Sequence, residues 1–102
     1  MQAIIQNNIN ELNSLFKKHR VKKAYAFGSV CTANFSEKSD IDLLVDIDDS
    51  EGPVLYGEHY FDLANELEIL LNRKVDLLTV KSLKNPYFIK KIDETKVSLY
   101  GY

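Results

Sequence analysis

Apolar residues recur at helical spacing from the start of the chain. Ile5, Ile9, Leu12 and Phe16, with Leu15 beside them, predict one amphipathic helix over about residues 2–19. Lys17, Lys18, His19 and Arg20 close it, where positive charge suits the C-terminal end of a helix dipole, and His19 is read as part of that cap. The period then drops to two. Residues 21–28 read as a strand with Tyr25 and Phe27 on one face, Ala24 and Ala26 on the other, and Gly28-Ser29 at its end. A polar connection covers 30–39, with a short helix expected near 29–33. Residues 40–47 form a second strand. Ile41, Leu43, Val45 and Ile47 share one face; Asp40, Asp42, Leu44 and Asp46 share the other.

Asp48 to Pro53 is a loop by composition. Tyr60, Leu63, Ala64, Leu67, Leu70 and Leu71 then trace the stripe of a long helix over about 57–72. Asn72-Arg73 turns the chain into a third strand over 74–80, where Val75, Leu77 and Thr79 alternate with Asp76, Leu78 and Val80. Asn85-Pro86 starts a last helix over 86–94, with proline in the first helical position, and residues 97–102 add a short edge strand. The fold class that follows is α/β (α+β): a small mixed β-sheet with helices packed on one face. The other face is left open, with small residues and carboxylates, for a ligand.

Composition narrows the function. At 102 residues the chain is expected to form a single domain, 1–102. Its net charge of -2 lacks the basic excess that phosphate neutralisation demands of nucleic-acid binders. A lone cysteine, Cys31, excludes an internal disulfide. The N-terminal residues lack a basic start followed by an apolar run, and no apolar stretch is long enough to span a bilayer. The chain is therefore expected to be cytoplasmic. The aromatic tail from Leu99 to Tyr102 looks exposed and suggests a subunit contact, in a homo- or hetero-oligomer.

Asp40 and Asp42 lie two apart on one strand, so their side chains leave the same face with Cα atoms roughly 6.5–7 Å apart. Two such carboxylates can converge on metal ions about 3.5–4 Å apart. Asp76 has the same parity on the third strand and joins them if that strand lies beside the second. Gly28 permits a left-handed turn and close approach of a phosphate, and Ser29 adds a hydroxyl donor. Each element alone is ordinary. Asp46-Ile47-Asp48 repeats the Asp-x-Asp spacing and reads as a solvated loop edge. The combination is what carries chemistry: a phosphate turn, ten residues, an acidic pair, then a third acidic strand position.

Phe27-Gly28-Ser29, ten residues, then Asp40-Ile41-Asp42 resembles the signature of the DNA polymerase beta nucleotidyltransferase superfamily. The length resembles its minimal nucleotidyltransferase (MNT) branch. The resemblance implies a polymerase-beta-type core and two Mg²⁺ ions held by Asp40, Asp42 and Asp76. Gly28 and Ser29 would hold the triphosphate of ATP. It also implies transfer of AMP to a protein acceptor, with a HEPN-domain toxin as partner and this chain as its antitoxin. One departure stands out: Thr32 occupies the position where many members carry an arginine. It leaves an alternative open, a non-catalytic, nucleotide-binding antitoxin that neutralises a HEPN toxin by contact.

Overall fold

The computed structural model describes residues 3–33, 35–36 and 38–101. Two helices open the chain, α1 (Ala3–Gln6) and α2 (Ile9–Lys18). The single helix expected over 2–19 is thus broken at Asn7-Asn8. Asn8 turns its Nδ2 back to the Ile4 carbonyl at 2.8 Å, a local side-chain bond of the kind that competes with helix propagation. The apolar stripe survives the break, since Ile5, Leu12 and Phe16 are all buried.

Then come β1 (Val21–Phe27), a four-residue 3-10 turn (Gly28–Cys31), β2 (Ile41–Ile47) and α3 (Pro53–Leu71). They are followed by β3 (Val75–Thr79), a 3-10 turn (Val80–Ser82), α4 (Pro86–Thr95) and β4 (Val97–Tyr100). α3 starts earlier than the stripe predicts because Pro53 serves as its first helical residue. Asn85 caps α4, its side-chain oxygen accepting from the Tyr87 N–H at 2.9 Å. The strands order as β3-β2-β1-β4 in one four-stranded sheet. β1 runs antiparallel to both neighbours. β2 and β3 are parallel, so α3 is the crossover between them.

The main core joins α1, α2 and α3 to one sheet face through Phe16, Leu12, Leu63, Leu67, Ile41 and Leu43. Ala24 and Ala26 also belong to this core and are fully buried. The expectation that small residues line the open face is therefore corrected. The alanines give the helices room to approach, and the aromatic positions of β1 share the other face with the carboxylates. Helix placement is corrected as well. The long helices cover one face, but α4 packs on the opposite one, where Ile92 is buried with Phe27 and Leu44.

His19 does cap α2, and it is buried. Its Nε2 lies 2.5 Å from Glu66 Oε2 and its Nδ1 lies 3.2 Å from His59 Nδ1. This cluster ties the end of α2 to α3. At the far end of β2, Asp46 pairs with Lys22 at 3.7 Å and Asp48 with Arg20 at 2.5 Å. The second Asp-x-Asp is thus an ion-paired strand end, away from the first.

The tail is part of the fold. Leu99 is buried, and the Tyr100 ring sits 5.8 Å from that of Phe16; Tyr102 lies outside the described residues. The exposure expected of Leu99 and Tyr100 is thus corrected: both pack within the chain. Truncation after Val97 removes an edge strand and a buried leucine, whose loss alone costs about 2–5 kcal/mol. Against a total stability of about 5–15 kcal/mol, the truncated chain is expected to melt at least 10 °C lower. Circular dichroism melting checks this, and an unchanged midpoint refutes it. Among the described residues no helix is long and apolar enough to cross a membrane.

Candidate active site

Strand pairing assembles the site. Phe27 of β1 is opposite Asp42 of β2, and Asp42 is in register with Asp76 of β3. One row across three strands therefore carries an aromatic ring and two carboxylates. The third strand does lie beside the second, so Asp42 and Asp76 meet in this row, and Asp40 stands at the same sheet end.

The three carboxylates differ in setting. Asp42 is half-buried, and its carboxyl is pushed up to about 6. Burial is the largest cause, followed by the charge of Asp76, a hydrogen bond with Asp76 and the charge of Asp40. Asp76 is exposed in the cleft. Asp40 stands one residue before β2, with Lys74 Nζ 3.8 Å from its Oδ2.

Gly28 has φ +72, and a Cβ placed on it would collide with Oδ2 of Asp42. The backbone and the central carboxylate are thus in direct contact, which only glycine allows. The turn after Gly28 is a 3-10 helix of four residues, Gly28–Cys31. It is too short to supply a helix dipole, so what remains for an anion is local: backbone N–H groups and the Ser29 hydroxyl. Thr32 Oγ1 donates to the Ser29 carbonyl at 3.0 Å, bracing the turn.

Several contributors carried no sequence signal. Arg73, read only as a turn residue, donates through Nη1 to the Ser36 and Ser39 carbonyls at 2.7 and 3.1 Å. Its guanidinium also lies 4.5 Å from the Phe35 ring centroid. It thereby fixes the loop that delivers Asp40. A cleft of about 620 Å³ opens over the carboxylate row, lined by Phe27, Asp42, Asp76, Leu78 and Phe88. An adjoining groove of about 300 Å³ is lined by Phe27, Gly28, Phe88 and Lys91. A more apolar groove, lined by Leu15, Glu66 and Ile69, lies between α2 and α3 and touches none of the three carboxylates.

Among the described residues no three His, Cys, Asp or Glu side chains already form a closed metal-ligand group. The open Asp42–Asp76 pair nevertheless fits Mg²⁺, which takes one or two carboxylates and completes its shell with phosphate oxygens and water. A bound cation would offset the burial and the neighbouring carboxylate charges that raise the Asp42 carboxyl.

Known proteins share this arrangement of elements. The family described as polymerase beta nucleotidyltransferase matches residues 10–102. An inferred protein adenylyltransferase of Methanocaldococcus jannaschii is 36% identical over 94 residues, covering 84% of this chain and 92% of its own. A solved structure described as a minimal nucleotidyltransferase superposes with TM-score 0.75 at 26% identity, over 91% of this chain and 90% of that one. A chain from the complex of a tri-AMPylated Shewanella oneidensis HEPN toxin with its MNT antitoxin superposes with TM-score 0.67. At 23% identity, over 95% of this chain and 72% of that one, it is a likeness of fold.

Proposed function

This chain belongs to the polymerase beta nucleotidyltransferase family, and from that premise we propose that it transfers AMP from ATP to a hydroxyl of a protein acceptor, as the antitoxin of a HEPN/MNT pair. The observation that carries the reading is the row of Asp42 and Asp76 with Gly28 pressed against Asp42. A glycine turn, whose backbone N–H groups can take a phosphate, beside a carboxylate pair supports this reading. The adenylyltransferase relative supports AMP as the transferred group and protein as the acceptor, and the AMPylated toxin complex supports the partner.

In this mechanism Gly28 and Ser29 receive the outer phosphates, which brings the α-phosphate over Asp42. Asp76 accepts the proton of the acceptor hydroxyl and aims its oxygen in line. A bond forms from that oxygen to the α-phosphorus, the bond to the bridging oxygen breaks, and pyrophosphate leaves. Asp40, Asp42 and Asp76 would hold Mg²⁺, two ions being expected, and the metal supplies charge neutralisation on the phosphates when bound. Arg73 and Lys74 keep Asp40 in place from the next strand's start.

One observation favours a second reading, neutralisation by contact without transfer. Thr32 is bonded back to Ser29 and the turn carries no guanidinium. Incubation with Mg²⁺ and α-labelled ATP, with and without the protein encoded beside it, separates the two. Label on that protein is expected, and γ-labelled ATP is expected to leave none. No label despite tight ATP binding supports the contact reading; no ATP binding at all overturns transfer.

A further inference from the structure

We infer that α4 is the nucleotide-recognising wall of the cleft, with Lys91 contacting the outer phosphates and Phe88 stacking on the base. The inference rests on the ATP-dependent transfer proposed above and adds two residues that lie outside the glycine–serine turn and the carboxylates.

Helix geometry sets the arrangement. Phe88, Lys91, Ile92 and Thr95 share one face of α4 by their spacing. Ile92 is buried against Phe27 and Leu44, on the carboxylate face of the sheet. That anchor holds its helical neighbours over the site. Phe88 lines both the cleft above Asp42 and Asp76 and the groove beside Gly28. It remains 42% exposed, so an apolar ring faces solvent at the junction of the two. A base inserted there would cover it, and base–aromatic stacking suits any nucleobase.

Charge selects the other role. A triphosphate approaching three carboxylates needs a cation that is not already neutralised. Arg73 is engaged with the Ser36 and Ser39 carbonyls, Lys74 with Asp40, and Lys96 with Asp93; Lys38 and Lys90 make no ion pair among the described residues but line neither the cleft nor the groove. Lys91 lines the Gly28 groove and makes no ion pair with any described residue. Its ammonium rests 5.0 Å from the Tyr87 ring centroid. A lysine on a flexible stem binds phosphate as a point charge and can swing from the ring to the turn.

The two roles separate in calorimetric titration of the full chain, in Mg²⁺, with ATP, AMP and inorganic tripolyphosphate. Lys91→Ala is expected to weaken ATP and tripolyphosphate about tenfold while leaving AMP within twofold, and Lys91→Arg to restore most of the loss. Phe88→Ala is expected to weaken ATP and AMP about tenfold and leave tripolyphosphate unchanged. Both side chains are solvent-exposed, so the variants should melt close to the parent, and Phe88→Tyr provides a second, conservative check that keeps the ring. Parent-like ATP affinity in Lys91→Ala and Phe88→Ala overturns the α4 assignment and leaves AMP transfer standing. Failure of the unsubstituted chain to bind ATP overturns the transfer reading itself.

Discussion

Asp42→Asn is expected to lower AMP transfer by roughly 10²–10³-fold while making the nucleotide-free protein more stable at neutral pH. The two effects share one cause. Asp42 sits half-buried beside Asp76 and Asp40, and its carboxyl is raised from 3.8 to about 6. Below about pH 3.8 the group is protonated both folded and unfolded and makes no difference. Above about pH 6 it is charged in both states, and the folded state bears the burial and the repulsion. Folding stability therefore falls as pH rises through this window. At about 1.4 kcal/mol per pH unit the ceiling is about 3 kcal/mol, and solvent screening in the open cleft reduces it to about 1–2. Asparagine keeps the shape and removes the charge, so the variant escapes this loss. Melting both proteins at pH 4 and pH 7 in chelator isolates the effect, because contributions from distant groups such as Asp48 cancel between them. A variant less stable than the parent at pH 7 would show that Asp42 is a structural carboxylate. Retained transfer would remove it from the chemistry.

Much of this site was legible from spacing alone. Alternation put Asp40 and Asp42 on one face, and a turn-forming glycine ended the strand before them. What spacing could not carry was pairing between strands. Asp76 has the right parity on its own strand, yet it meets Asp42 only because α3 returns the chain parallel to β2. Burial against the opposite face was equally hidden. The Asn85-Pro86 signal gives the start of α4 but not the side of the sheet that its Ile92 meets. The same limit explains Ala24 and Ala26, whose small size suggested an open face and instead admits the helices. His19 and His59 are forty residues apart and meet through the packing of α2 on α3, a contact with no local signature. The break at Asn7-Asn8 was visible in principle, since adjacent asparagines disfavour a helix interior. A continuous apolar stripe outweighed it.

Gly28→Ala is expected to cost both stability and transfer, because two separate constraints meet at one backbone position. At φ +72 an L-residue pays roughly 1–2 kcal/mol that glycine does not. For a chain of this size that lowers the melting point on the order of 5–15 °C. The added methyl would also meet Oδ2 of Asp42. The carboxylate is the softer partner, so it gives way, and displacement of a reacting group by about an ångström costs roughly 10²-fold in rate. Gly52→Ala separates the two. Gly52 also has a positive φ, +97, but a Cβ there meets nothing within 4 Å, so this variant should be destabilised yet keep transfer once folded. Combining Gly28→Ala with Asp42→Ala tests the contact itself. The methyl then has no carboxylate to strike, and the double variant should be more stable than the sum of the single effects predicts. Strict additivity would show that Gly28 serves the turn alone; a shortfall in the combined loss would tie the glycine to the carboxylate it touches.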